Sequence, residues 1–360
     1  MEQFLCKTKI ISGSGSLQAL EDLHIKRLLI VSDPYFYENG TANHIAHISK
    51  AEHTEVFYKI SPDPSVSLAA EGTRIVLAFQ PDTILALGGG SSMDCAKAMA
   101  YFSGLTVTFI AVPTTSGSGS EVTDFSILTH DGIKHPLVDD KLQPDIAILD
   151  SDLLTSLPPK LIAETGFDLI SHALEAWASC KAGMVSDALA IAALQATLPQ
   201  LLRSYTGDLA ARGKIHTAAT MAGMAFSSAG LGLCHALSHA LGGEFHISHG
   251  RLNAILLPSV ITFNAEKALR RYASLAKKLG LSNGAEPIAL RALKNALVNL
   301  RRELGLPDTL AAAGVPVSQV REKTETLVKA ALSDPCCTTN PVKPTAADVR
   351  RILQEVMGHG

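Results

Sequence analysis

The segment TILALGGGSSMDCAKAMAYF, residues 83–102, decides how the first half of the chain folds. A short apolar run leads into three consecutive glycines, and a helix-like run follows them. Glycines let the backbone approach a phosphate closely, and the free N–H groups at a helix start bind an anion. The motif is not GxGxxG, so it indicates either a phosphate-binding turn or a plain tight turn between a strand and a helix.

Strand-like and helix-like runs alternate around this segment up to residue 150. The alternation predicts a parallel sheet with both faces covered by helices. Asp131 and Gly132, flanked by apolar residues, predict a hairpin. The predicted strands are 27–33, 54–60, 83–90, 107–113 and 145–150, and the clearest helix between them is 65–79.

The second half of the chain has a different character. From residue 160 onward apolar residues recur almost throughout at helical spacing. Pro158 and Pro159 precede the change, so we predict an α/β domain at 1–157 and an all-α domain at 158–360. The Ala-rich helical segments are 160–179, 184–204, 214–229 and 265–279.

Composition excludes several classes of function. The chain has 360 residues, 47% of them hydrophobic and 18% charged, which describes a well-buried globular protein. A net charge of −3 gives no electrostatic basis for binding nucleic acid or an anionic membrane. The most apolar helix candidate contains Asp187, Gln195 and Pro199, which indicates a buried helix rather than a membrane span.

The six cysteines are scattered, and no CxxC pair occurs among them. The start MEQFLCKTKIISGSG lacks a long apolar stretch behind a basic segment, so it does not resemble a secretion signal. Both observations predict reduced thiols and a cytoplasmic location, and they leave open whether the protein is packaged in a bacterial microcompartment.

Further polar residues follow predicted strands in the first half. PTTSGSGSE, residues 113–121, offers hydroxyl groups to a ribose or a phosphate, or forms a solvent-exposed loop. Asp33 ends a strand, as an acid that binds the adenosine ribose does, although a helix cap or a surface turn is the simpler explanation for this residue alone. Lys134 is a candidate for a ribose or pyrophosphate contact, or an exposed hairpin lysine.

Two windows in the second half carry candidate metal ligands. Asp168 and His172 are four residues apart, so they lie on one face of a helix. Carboxylate and imidazole groups together suit Fe²⁺ or Zn²⁺. Glu175 continues that face as an acceptor for a ligand histidine or, more simply, as a helix-surface acid. Spacing does not choose among the histidines of the second window, His235, His239, His246 and His249.

Together these motifs resemble the iron-dependent (group III) alcohol dehydrogenases over nearly the whole chain, and most closely the propanol dehydrogenases of propanediol-degrading bacteria. The matching stretches are GGGSSMDCAK (88–97), PTTSGSGSE (113–121), the Asp168–His172 window and HALSHALGGEFHISHG (235–250). The resemblance implies an NAD-binding parallel-sheet domain followed by a helical metal-binding domain, the architecture shared with dehydroquinate synthase.

The resemblance also implies roles for individual residues. Fe²⁺, or Zn²⁺, would be held by Asp168, His172, His235 and His249, and His239 would relay protons beside the metal. NAD would be contacted by Asp33 at the adenosine ribose, Gly89, Gly90 and Ser91 at the pyrophosphate, Thr114, Thr115 and Ser118 elsewhere, and Lys134 at the nicotinamide-side ribose. His246 is either a competing ligand or a bystander.

The function implied is NAD-dependent interconversion of short-chain primary alcohols and aldehydes, such as propanol and propionaldehyde or ethanol and acetaldehyde. Two alternatives remain at this stage. One is a dehydroquinate-synthase-like lyase, against which the lack of a Lys/Arg cluster beside the metal motifs argues. The other is a metal-dependent hydrolase without nicotinamide. The strand-like FLCKTKII, without an evident partner, together with the resemblance predicts a homodimer or larger homo-oligomer.

Overall fold

A computed structural model describes residues 4–130 and 133–358. Contacts within the chain separate two compact units, one comprising Leu5–Leu157 and the other beginning at Pro158. The first unit contains, in chain order, β1 (Lys9–Ser12), β2 (Arg27–Ser32), α1 (Pro34–Glu38), α2 (Thr41–Ser49), β3 (His53–Phe57), α3 (Val66–Phe79), β4 (Thr83–Gly88), α4 (Gly90–Ser103), β5 (Thr108–Pro113), β6 (Phe125–His130), β7 (Ile133–Val138) and β8 (Ile146–Leu149).

Six strands of the first unit form one parallel sheet, as the alternating pattern predicts. Their order is β1-β8-β5-β4-β2-β3. The sequence left β1 without an evident partner, and the structure pairs it with β8 at one end of the sheet. The connection after β2 leads to β3 on one side, and the connection after β4 leads to β5 on the other, so the topology switches between β2 and β4. Ligands of open parallel sheets bind beyond the strand ends at such a point.

Alternate residues of the central strands β2, β4 and β5 enter separate apolar cores on the two faces of the sheet. Leu29 and Val31 of β2 belong to the core that α3 and α4 cover. Leu28 and Ile30 belong to the opposite core, which includes residues of α1 and α2. Burial on both faces explains why the strands read as continuous apolar runs rather than as an alternating pattern.

The predicted hairpin forms beside the sheet. Strands β6 and β7 pair antiparallel from Phe125 and Val138 to His130 and Ile133. The predicted turn residues Asp131 and Gly132 lie outside the described residues. The Ser126 hydroxyl donates to the backbone oxygen of Asp94, 2.7 Å away, which fixes β6 against α4.

The second unit is helical in the part that the structure describes. Its elements are α5 (Pro159–Ala178), α6 (Met184–Thr197), α7 (Leu201–Tyr205), α8 (Leu209–Ala229), α9 (Leu233–Phe245), α10 (His249–Lys278), α11 (Glu286–Glu303), α12 (Val317–Ser333) and α13 (Ala346–Met357). Helix α5 is buried over most of its length and packs against α6, α8 and α10. The fold class predicted from the sequence, a parallel-sheet domain followed by helices, is confirmed.

The predicted helical segment 184–204 is divided in the structure. Helix α6 ends at Thr197 and α7 begins at Leu201, with Pro199 between them. Proline has no N–H group and its ring clashes with the preceding turn, so it ends the helix there. Across the described parts of the chain, no helix combines the length and the apolar character needed to cross a bilayer.

Candidate metal centre and dinucleotide site

Asp168, His172 and His235 meet inside the helical unit. One ligand atom from each lies within 4.8 Å of the other two. The Asp168 Oδ1 atom is 4.0 Å from His172 Nε2 and 3.7 Å from His235 Nε2, and the two imidazole rings stack with centroids 4.5 Å apart. A carboxylate oxygen and two imidazole nitrogens converging on one buried point form a donor set for a divalent transition metal.

His249 lies near this group, but it is not among the residues whose ligand atoms lie within 4.8 Å of one another. It is the first residue of α10, and its ring centroid lies 5.1 Å from that of His239. Burial pushes the pKa of the Asp168 carboxyl upward, but the charges of His172, His235 and His249 together hold it well below its usual range. His249 is thus close enough to Asp168 to influence its ionisation, and all four implied ligands lie in one neighbourhood.

The surroundings of His235 fit a bound cation. Burial lowers its pKa, but the carboxylates of Asp168, 3.7 Å from Nε2, and of Glu175, 2.6 Å from Nδ1, outweigh that effect and raise the pKa to about 9. The cluster therefore favours positive charge at its centre, where a metal ion would take the place of a proton. The donor types and this charge preference together fit a divalent metal ion.

Glu175 corrects one interpretation of the sequence. The simpler reading, a helix-surface acid, is wrong because only 4% of its side chain is exposed. Its Oε2 atom accepts a hydrogen bond from His235 Nδ1 at 2.6 Å and from the Gly232 N–H at 3.0 Å, and its Oε1 from the Cys234 N–H at 2.7 Å. Glu175 therefore caps the start of α9 and fixes the ring of His235 with Nε2 directed at Asp168.

Asn253 also belongs to the centre, and the sequence interpretation missed it. It is fully buried, and its Nδ2 atom donates to Asp168 Oδ1 at 2.9 Å and lies 3.3 Å from His235 Nε2. The available signal was its position four residues after His249, on the same helical face. Asn253 orients the carboxylate of Asp168 through this hydrogen bond.

His239 lies beside the cluster and has its own carboxylate partner. Its Nδ1 atom is 2.7 Å from Asp334 Oδ2, and its ring centroid is 6.1 Å from that of His235. Burial raises the pKa of Asp334, but the hydrogen bond from His239 dominates and lowers the pKa to about 2. An ionised Asp334 accepts the Nδ1 proton, so the Nε2 atom of neutral His239 is free to accept another. No local spacing pointed to Asp334.

His246 is placed differently from the other histidines of its window. It ends α9 in a left-handed conformation with φ 55°, and its side chain is exposed. Its exposure favours the role of a bystander.

The glycine turn stands at the switch point of the parallel sheet. Gly88 ends β4 with φ 148°, a conformation that other residues rarely adopt, and Gly89 caps α4 without a side-chain hydrogen bond. The N–H groups of Gly90 and Ser91 begin the helix and have no carbonyl partner within it. Such a helix start fits an anionic group such as a pyrophosphate.

The loop after β5 lines the same turn. The Thr114 N–H donates to the Gly88 oxygen at 3.0 Å. A methyl group added to Gly89 would lie 3.3 Å from Thr115 Oγ1, and one added to Gly90 would lie 3.3 Å from Ser118 Cβ. The structure therefore brings the predicted residues of the two loops together and leaves the turn lined by backbone and hydroxyl groups.

Asp33 fulfils one of its two predicted roles and is positioned for the other. Its Oδ1 atom accepts from the Phe36 N–H at 3.2 Å, which caps α1. Its Oδ2 atom lies 3.7 Å from a methyl group placed on Gly88, so it faces the glycine turn. Partial burial raises the pKa of this carboxyl, and the backbone hydrogen bonds from Phe36 and Tyr35 offset only part of that rise.

Lys134 lies on β7 and forms an ion pair with Asp63, with 2.6 Å between Nζ and Oδ1. Only 17% of its side chain is exposed, so the alternative of an exposed hairpin lysine is wrong.

A second lysine, Lys97, is buried under the hairpin and donates to the backbone oxygens of Thr123 and Phe125 at 2.8 and 2.9 Å. Sequence interpretation missed Lys97, which stabilises the hairpin on α4.

A parallel-sheet unit with a glycine turn and a helical unit with a carboxylate–imidazole cluster fit an enzyme that binds a dinucleotide and a metal ion. The chain belongs to the iron-containing alcohol dehydrogenase family, whose model matches residues 7–151, while the model of the family's C-terminal part matches residues 162–357. The protein is an alcohol dehydrogenase. Membership in this family favours the dehydrogenase over the two alternatives from the sequence, a dehydroquinate-synthase-like lyase and a metal-dependent hydrolase.

Similar proteins carry related activities in their names. The chain is 40% identical to the 1-propanol dehydrogenase PduQ of Salmonella typhimurium, over 99% of this chain and 100% of that protein. It is 35% identical to an NADPH-dependent butanol dehydrogenase of Clostridium saccharobutylicum, over 98% and 97%. The iron-containing alcohol dehydrogenase of Thermococcus thioreducens has a similar structure, with a TM-score of 0.92, 33% identity and coverage of 98% and 99%.

Proposed function

We propose that this enzyme interconverts short-chain primary alcohols and aldehydes, such as propanol and propionaldehyde, with NAD(H) and Fe²⁺. The observation that carries the proposal is the buried group of Asp168, His172 and His235. Full-length similarity to a propanol and a butanol dehydrogenase supports the substrate class. We assign the NAD-binding domain to residues 1–157 and the metal-binding domain to 158–360.

Asp168, His172, His235 and His249 would hold the metal in this proposal. When bound, the metal supplies a Lewis acid for the substrate oxygen, and the nicotinamide donates or accepts the hydride. Glu175 and Asn253 keep His235 and Asp168 directed at the site through their hydrogen bonds. Orienting partners of this kind typically raise metal affinity.

His239 would accept the proton that an alcohol loses on oxidation, and return it during aldehyde reduction. Asp334 holds the Nδ1 atom of His239 as a donor, which leaves Nε2 as the atom that takes and gives the proton. A ribose hydroxyl of the cofactor would continue the relay to solvent. His239 then acts without forming any covalent bond to substrate.

The first unit would hold NAD through backbone and hydroxyl groups. Gly89, Gly90 and Ser91 would bind the pyrophosphate, and Asp33 the adenosine ribose through its Oδ2 atom. Thr114, Thr115 and Ser118 would contact the cofactor from the loop after β5, and Lys134 would reach the nicotinamide-side ribose. The name of the butanol dehydrogenase includes NADPH, so the choice of NAD rests on Asp33 and is a point to test.

Aldehyde reduction by the full-length protein tests the proposal. We expect NADH absorbance to fall with acetaldehyde, propionaldehyde or butyraldehyde after reconstitution with Fe²⁺, and to stay constant after chelation. Reconstitution with Zn²⁺ in parallel decides between the two metals. If no aldehyde of this size consumes NADH or NADPH, the substrate class is wrong.

We also propose a cytoplasmic homodimer. The six cysteines are free thiols, as in a reducing compartment. Strand β1 ends the sheet order and pairs with β8 along one side, so its other edge offers backbone groups to a second chain. Removal of residues 1–11 should shift the protein toward monomer or aggregate in size-exclusion light scattering, and a monomeric wild type at micromolar concentration would contradict the dimer.

A further inference from the structure

The proposed fourth ligand, His249, is held less firmly by its own helix than the other three. Asp168 and His172 lie inside α5, and His235 lies in the first turn of α9 beside Glu175. His249 is the first residue of α10, and only residues 246–248 connect it to α9. Contacts outside the helix must therefore fix its position.

Glu164 makes those contacts from α5. Its Oε2 atom accepts from the Ser248 hydroxyl at 2.7 Å, and its Oε1 atom accepts from Arg251 Nη2 at 2.6 Å and Nε at 3.1 Å. The side chain of Glu164 is 9% exposed, so water competes weakly for these bonds. Glu164 thus holds Ser248, directly before His249, and Arg251, half a helical turn after it.

Gly250 allows α10 to approach α5 at the same place. A methyl group on Gly250 would overlap the backbone oxygen of Glu164, so only glycine permits this contact. Glu164 is also one helical turn before Asp168 on α5. The carboxylate that clamps the start of α10 is therefore fixed to the helix that carries two of the proposed ligands.

We propose that Glu164 is a positioning residue for the metal centre, which places His249 at the distance from Asp168 that a metal ion requires. The inference rests on the proposed function, because it takes His249 as a ligand. Glu164 itself has no part in binding metal or substrate. Its loss should weaken metal binding while leaving the dinucleotide turn unchanged.

Chelator competition on the full-length, Zn²⁺-loaded protein tests the inference. We expect Glu164→Gln and Ser248→Ala to weaken Zn²⁺ binding about 10-fold, and Glu164→Ala about 100-fold, the range found when groups orienting metal ligands are removed. NADH binding, followed by fluorescence titration, should stay within about 2-fold of wild type. Asp187→Asn is the matched control, since Asp187 forms the same kind of ion pair with Arg271 at the other end of α10.

A double-mutant cycle separates positioning from general stabilisation. If Glu164 acts through His249, Glu164→Gln should change Zn²⁺ affinity by less than about 2-fold in a His249→Ala background. Equal losses of affinity in both backgrounds, or equal losses for Glu164→Gln and Asp187→Asn, would overturn the inference. Normal Zn²⁺ affinity of His249→Ala alone would instead refute the ligand assignment in the proposed function.

Discussion

Side chains form the candidate metal centre, whereas backbone forms the glycine turn at the end of β4. At this centre two of the proposed ligands are held by another polar side chain, His235 by Glu175 and Asp168 by Asn253. At the turn the important groups are N–H donors, which glycines leave uncovered between two loops. Changes at the first site should act through lost partners, and changes at the second through altered bulk or charge.

The largest expected effect comes from removing a proposed ligand. His249→Ala should lower metal content and reduce turnover at least 1,000-fold, by order of magnitude, because the metal contributes several kcal/mol as a Lewis acid. Metal analysis and aldehyde-dependent NADH oxidation measure this, and NADH binding should remain. His246→Ala is the control and should be close to wild type. If His246→Ala empties the site instead, the wrong histidine has been assigned.

Asp334→Asn should separate proton transfer from metal binding. Asparagine can still accept the Cys336 N–H bond that Asp334 Oδ1 accepts at 2.8 Å, but it does not offer the same charged acceptor to His239. We expect kcat to fall roughly 100-fold, the low end for acid–base catalysis, with KM and metal content unchanged. Steady-state kinetics with metal analysis check this. An unchanged kcat would show that Asp334 only shapes its turn.

Asp33→Gly tests charge at the glycine turn. A 2′-phosphate about 4 Å from the carboxylate would cost about 1 kcal/mol in water-like surroundings and about 4 kcal/mol at an effective dielectric of 20. The wild type should therefore prefer NADH by about 5-fold to several hundred-fold, and the variant should gain NADPH activity and lose NADH affinity.

Asp33→Ser is the matched control for Asp33→Gly. Serine keeps the cap on α1 but removes the charge, so it should shift the cofactor ratio in the same direction. The measurement is kcat/KM for both cofactors with one saturating aldehyde. A wild type that uses NADPH as well as NADH, or variants with an unchanged ratio, would leave Asp33 as a helix cap alone.

The smallest effect is expected from a single methyl group. Gly89→Ala would place a carbon 3.3 Å from Thr115 Oγ1, inside the space proposed for the pyrophosphate. We expect about a 10-fold loss of NADH affinity, or about 1.4 kcal/mol, with normal metal content. Fluorescence titration of NADH measures it. Unchanged NADH affinity would place the pyrophosphate elsewhere.

The sequence by itself determined the fold class and most of the candidate site. Alternating runs gave the parallel sheet, because strands buried on both faces and amphipathic helices have distinct local patterns. The four-residue spacing of Asp168 and His172 gave a shared helical face, since that spacing corresponds to about one turn. The resemblance of the motifs then named His235 and His249 from a window whose spacing left four histidines open.

Tertiary structure alone decided the partners of those residues. Glu175 is buried against His235, 60 positions away, and Asp334 meets His239 from 95 positions away. Lys97 is enclosed by the hairpin, and Glu164 holds the start of α10. Local periodicity reports only neighbours within a turn or along a strand, whereas these contacts arise when distant segments pack together.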